Sequence, residues 1–140
     1  MLYEPSYLSL EWALRYYNLI PEGVYQYTSC TTKKTQTSTL SVGKFSYRSL
    51  HPRWYWGYDL HTLGRYPTVR IASPEKTLCD YLYFHHEITS SEDFEEQRIN
   101  VLVWQDIASN DLLTQYASRY PKSVQKRVQF FLDYLHTTDV

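Results

Sequence analysis

Apolar residues recur at helical spacing at Leu10, Ala13, Leu14 and Tyr17, which predicts a helix over residues 9–19. Ser9 stands at the N-cap position, Glu11 falls in the first turn, Asn18 suits the C-cap, and Pro21 blocks continuation. From residue 23 to 71 the period shortens towards two. Val24, Tyr25, Tyr27, Thr28, Thr31 and Thr32 favour strands. Lys44-Phe45-Ser46-Tyr47-Arg48 and Thr68-Val69-Arg70-Ile71 alternate, with aromatic or apolar residues on one face and charged ones on the other. Gly43 marks a bulge or bend, and Gly64 with Pro67 frames a turn. These segments predict a small antiparallel sheet of three to five strands. After Ser73 the helical period returns. Ser73 is placed to cap a helix that begins at Pro74, with Glu75 in its first turn and Leu78, Tyr81, Leu82 and His85 on one face. Further helices are predicted over about 92–105, over 110–119 with Leu112, Leu113 and Tyr116 inward, and from Pro121 onward with Val124, Val128, Phe131, Leu132 and Leu135 in one stripe. The fold class is therefore α+β: a small antiparallel sheet preceded by one helix and followed by three to four helices. No break in composition divides residues 1–140, which read as a single domain.

Composition changes this picture little. Hydrophobic residues make up 43% of the chain, enough for a sizeable core. Fifteen tyrosines suit a thin layered domain, because a tyrosine can bury its ring and keep its hydroxyl wet. No apolar run approaches the roughly 20 residues that span a bilayer, and no signal peptide is evident, so a cytoplasmic protein with reduced thiols and no membrane partner is expected.

Charge is more informative. The net charge of −1 argues against a general nucleic-acid binder. Yet from Lys33 to Arg70 there are seven Lys or Arg and one acid, Asp59, whereas from Ile71 to Gln97 there are seven acids and one base, Lys76. The basic segment interleaves Lys33, Lys34, Lys44, Arg48, Arg53, Arg65 and Arg70 with aromatic residues, the pattern by which phosphates are contacted and bases stacked. Lys44, Arg48, Arg53 and Arg70 are the candidate nucleic-acid contacts. Ordinary alternation, with rings inward and charges outward, accounts for the same pattern. The acids Glu92, Asp93, Glu95 and Glu96 sit at a helix start and complement its dipole.

Catalytic patterns are lacking. The histidines His51, His61, His85, His86 and His136 show no i,i+4 pair, and Cys30 and Cys79 form no C-x-x-C, so no metal is expected. The glycines Gly23, Gly43, Gly57 and Gly64 are isolated, which excludes a phosphate loop or a dinucleotide fingerprint. No cofactor is implied. Cys79 lies within Leu78-Cys79-Asp80-Tyr81-Leu82 and reads as a small core residue. Glu75 and Asp80 would suit a divalent-cation nuclease only if they converged, and on a helix they diverge by about 140°. Lys76 and Asp80 have the spacing of an ion pair on the helix surface.

Three ordered segments together resemble the AbiEi antitoxin domain. They are Ser9-Leu10-Glu11-Trp12-Ala13-Leu14 with Leu19-Ile20-Pro21-Glu22; Thr31-Thr32-Lys33 with Gly43, Phe45, Tyr47 and Gly57; and Ala72-Ser73-Pro74-Glu75-Lys76-Thr77-Leu78-Cys79-Asp80-Tyr81-Leu82-Tyr83. Arg98-Ile99-Asn100 is a weaker echo, and the likeness runs over about residues 5–136. Ser73, Pro74, Glu75, Lys76 and Asp80 carry its most characteristic stretch. The resemblance implies a non-enzymatic antitoxin and transcriptional-regulator domain of a bacterial type IV toxin–antitoxin system linked to abortive phage infection. Its partner would be a nucleotidyltransferase-like toxin, opposed without a stable complex. The family's usual N-terminal winged helix has no counterpart here, which leaves autonomous operator binding without its usual module. A nucleic-acid-binding module on the basic, aromatic sheet is the alternative reading, and a degenerate nuclease-like enzyme the third.

Overall fold

A polar strand and an aromatic strand divide the work at one edge of the sheet. In the computed structural model, which describes residues 3–21, 23, 26–64 and 68–138, strand β3 is Gln36–Leu40 and β4 is Gly43–Ser49. The two form an antiparallel hairpin closed by Leu40 opposite Gly43. The uncharged polar side chains of β3 are mostly exposed and take the edge, whereas Phe45 and Tyr47 of β4 are buried and take an inner position. Strand β2 (Gln26–Thr31) therefore neighbours β4, not β3, and runs parallel to it. The expected bend at Gly43 is the exit of this hairpin; its φ of 147° and the Tyr27 ring, 3.2 Å from where a Cβ would stand, suit glycine.

Among the described residues the sheet has six strands in the order β3-β4-β2-β1-β6-β5, with β1 at Ser6–Leu8, β5 at Tyr58–His61 and β6 at Val69–Ala72. It is mixed. β1–β6 and β2–β4 are parallel, and the other pairs antiparallel. The expectation of a small antiparallel sheet is corrected on both counts. A three-residue strand is too short to display a period of two. Parallel neighbours are set by distant segments and leave no turn signal in the sequence. The strand-forming residues Val24 and Tyr25, and the turn at Arg65, Tyr66 and Pro67, lie outside the described residues, as does Glu22.

Register assigns the faces. Tyr7, Cys30 and Arg48 lie side by side across β1, β2 and β4. Ile71, Leu8, Ser29 and Tyr47 form a row on the opposite face. Helix α2 (Pro74–Phe84) packs against the Tyr7–Cys30 face, since both side chains reach its Asp80. Ser73 caps α2 by accepting the Lys76 N–H, and Pro74 occupies the first turn, as the sequence predicts. Only one face of α2 was expected inward. In the structure every residue from Glu75 to Leu82 is buried, because α1 (Leu10–Tyr16), α5 (Asn110–Ala117) and α6 (Lys122–Thr138) close round it.

Two helix starts differ from expectation. The Ser9 hydroxyl does not cap α1; it is drawn to Asp80, and the Trp12 N–H is received by Thr28 Oγ1 from β2 at 2.9 Å. The helix expected over 92–105 is interrupted. A 3-10 turn at Ser91–Asp93 runs into α3 (Phe94–Gln97), Arg98 turns left-handed at φ 56°, and Asn100 caps a new helix, α4 (Val101–Ile107). Asp93 accepts the N–H groups of Thr89 and Ser90, which lowers its carboxyl below the usual range. Among the described residues five α-helices thus follow the sheet, not three to four, and a strand precedes α1. The α6 stripe lies inward as predicted, with Val124, Val128, Phe131 and Leu135 buried in the core that also holds Trp104, Phe94 and Leu113.

Candidate functional site: a buried Lys76–Asp80 centre

Because α2 is enclosed, its charges cannot reach water. Lys76 Nζ lies 2.7 Å from Asp80 Oδ1 and both side chains have 0% exposure. The expected pairing is present, but its expected place on the helix surface is corrected. The reason is the arrival of β1, the segment 54–57 and Tyr120 from distant parts of the chain.

An ion pair without water must be fully hydrogen-bonded, or desolvation dominates. Asp80 meets that condition. Its Oδ2 accepts from the Tyr7 hydroxyl at 2.7 Å and the Ser9 hydroxyl at 2.9 Å, with the Cys30 thiol at 3.7 Å. Its Oδ1 accepts from Lys76 and from the Tyr120 hydroxyl. Lys76 donates to the Trp54 carbonyl at 2.6 Å, to Asp80 and to the Tyr120 oxygen. The rings of Trp56, Tyr120 and Tyr7 surround the ammonium at 4.5, 4.7 and 5.7 Å. Gly57 lets the backbone lie against the lysine stem, for a Cβ there would stand 2.7 Å from Lys76 Cγ, and its φ is 81°. Glu75, also buried, accepts the Ser109 N–H at 2.8 Å and so fixes the start of α5. The characteristic stretch thus ties α2 to β1, β2, the 54–57 segment, α5 and the α5–α6 corner.

Burial and the Asp80 charge together push the Tyr7 and Tyr120 hydroxyls well above the ordinary tyrosine value. The same causes raise the Cys30 thiol, and burial raises Cys79. Both cysteines are free and buried. A thiol reagent near neutral pH is therefore expected to label neither in the folded chain and both after denaturation, which time-resolved labelling with and without urea would check. Rapid labelling of the native protein would contradict this environment.

The four basic candidates are all exposed. Lys44 and Arg48 stand on β4, Arg53 in a 3-10 turn at Pro52–Trp54, and Arg70 on β6. Three strand steps, about 14 Å, separate β4 from β6. The Arg48 guanidinium lies 4.2 Å from the Phe84 ring centroid, on the face that α2 covers, and Arg70 pairs with Glu4 at 3.2 Å. Glu75 and Asp80 are turned to different elements. Among the described residues no group of three or more His, Cys, Asp or Glu is placed to hold a metal ion.

Tyr7, Ser9, Cys30, Trp54, Gly57 and Tyr120 were not singled out with this centre from the sequence. One signal was present: Asp80 sits inside the apolar run Leu78-Cys79-Asp80-Tyr81-Leu82, where an acid calls for buried partners. No family model matches this chain, nor does any curated protein.

Proposed function

We propose that the chain is a non-enzymatic antitoxin and regulator domain of the AbiEi type, opposing a nucleotidyltransferase-like toxin without forming a stable complex with it. The reading rests on the resemblance of the three segments. One structural observation supports it: the charged residues of the most characteristic stretch, Glu75, Lys76 and Asp80, are buried and engaged inside the molecule. In that arrangement they serve as a scaffold, and the domain acts through its surface. Co-expression with the toxin gene adjacent to its own is the test. Relief of toxicity is expected, and unchanged growth arrest would refute the assignment.

Nucleic-acid binding through Lys44, Arg48, Arg53 and Arg70 is the second reading. Their exposure favours it, and their spread over β4, a 3-10 turn and β6 weighs against one continuous patch. A nuclease-like activity at Glu75 and Asp80 has less support, since each carboxylate is already taken up by a different structural partner.

A further inference from the structure

Strand β3 is an open edge of the sheet: among the described residues it pairs with β4 alone. The hydrogen bonds at the end of β4 show which main-chain groups of β3 are left over. Ser49 N–H turns towards the β3 side, where Thr35 Oγ1 receives it at 3.0 Å, and Leu50 N–H turns the other way, to the Thr31 carbonyl at 2.7 Å. Odd-numbered residues of β4 therefore direct their N–H and C=O groups at β3, and their register partners Gln36, Ser38 and Leu40 direct theirs back. Thr37 and Thr39 point these groups away from the sheet, and both residues are exposed.

Sheet edges are commonly blunted by charge, proline or a bulge. Gln36-Thr37-Ser38-Thr39-Leu40 has no charge and no proline, and its register with β4 runs unbroken. The other edge, β5, is shorter and carries Asp59. Thr37-Ser38-Thr39 also reads alike in both directions. Rotated about a two-fold axis at Ser38, β3 lies antiparallel to itself with Thr37 opposite Thr39 on either side of the axis. These are the residues whose main-chain groups point outward, so each pair can exchange both of its bonds. Threonine opposite threonine is a favourable cross-strand pair. Like charges stay apart, since Lys34 of one copy would stand about 27 Å along the pair from Lys34 of the other.

We propose that β3 is a dimerisation edge, on which two copies of this chain pair antiparallel about Ser38 and join their sheets into one. The occupant is a second copy because the outward groups and the side chains of β3 match themselves in a single register. That register also sets the exposed hairpin tip, Leu40 and Val42, beside the stems of Gln36 and Lys34 of the second copy. A five-residue strand on each side buries less than the roughly 1,200 Å² at which stable interfaces begin, so a weak dimer is expected, with a Kd between about micromolar and millimolar. The proposal stands independently of the antitoxin reading, since it concerns the purified chain with no toxin present.

Sedimentation velocity of the full chain between about 10 μM and about 1 mM tests it. A concentration-dependent shift from monomer to dimer is expected. Thr37→Glu/Thr39→Glu opposes like charges in both pairs and should weaken association at least about tenfold. Thr37→Lys/Thr39→Glu places opposite charges in the same pairs and should retain the dimer. Thr37→Pro removes an outward N–H without touching the β4 ladder, and it decides the matter should the glutamate variant fold poorly by circular dichroism. A monomer throughout the range, association unchanged in Thr37→Glu/Thr39→Glu, or association lost equally in Thr37→Lys/Thr39→Glu overturns the proposal.

Discussion

Replacing Lys76 by methionine should lower the unfolding free energy by about 3–5 kcal/mol, the cost of leaving a buried carboxylate without its counter-charge. Methionine keeps most of the side-chain volume, so the loss reports electrostatics more than packing. Asp80 would retain its hydroxyl donors from Tyr7, Ser9 and Tyr120, while the Trp54 carbonyl loses the ammonium that satisfies it. Urea denaturation followed by circular dichroism measures the change. The double variant Lys76→Met/Asp80→Leu removes both charges, yet it strands three hydroxyls, so only part of the loss should return. A single-variant loss below about 1 kcal/mol would show that the pair does not clamp the helix. Domains of this size are stable by only about 5–15 kcal/mol, so the variant also bears on function. Any reduction of the proposed antitoxin activity in Lys76→Met would reflect less folded protein. Surface substitutions that spare the clamp are the ones that locate a working face.

What the sequence disclosed and what it withheld follow from the range of the forces. The start of α2 was legible because its determinants are local: Ser73 accepts a bond three residues on, and Pro74 fits the first turn. The i,i+4 spacing of Lys76 and Asp80 was legible for the same reason. Whether that pair faces water was not, since the answer is supplied by Tyr7, 73 residues from Asp80, and by Tyr120, 40 residues away. The parallel pairing of β2 with β4 was hidden likewise, because the polar character of β3 acts only by sending that strand to the edge. Arg98 shows the opposite failure. The acids before it and the apolar residues after it look like one helix, yet a single left-handed residue ends the first and lets Asn100 begin the next.

Stability should fall steeply in alkali. Tyr7 and Tyr120 hold their protons well above the ordinary tyrosine range, because burial and the Asp80 charge disfavour a phenolate there. Burial also pushes Tyr55 up to about 12. In the unfolded chain the same hydroxyls titrate near about pH 10. Above that pH the unfolded state gives up protons that the folded state keeps, so unfolding releases protons and a rise in pH favours it. The contribution is whole below about pH 10 and is lost as pH climbs towards the folded values, at about 1.4 kcal/mol per pH unit for each such tyrosine. Cys30 and Cys79, raised by burial, act with the same sign from about pH 8.5. Melting temperatures measured between about pH 8 and 11 should therefore decline gently at first and then faster, with a step of phenolate absorbance from the buried tyrosines accompanying loss of the fold. Tyr7→Phe separates this from general charge repulsion. It should lower stability at neutral pH, where Asp80 loses a donor, and make the alkaline limb shallower by about 1.4 kcal/mol per pH unit. An unchanged limb in that variant would mean that Tyr7 does not hold its proton beside Asp80.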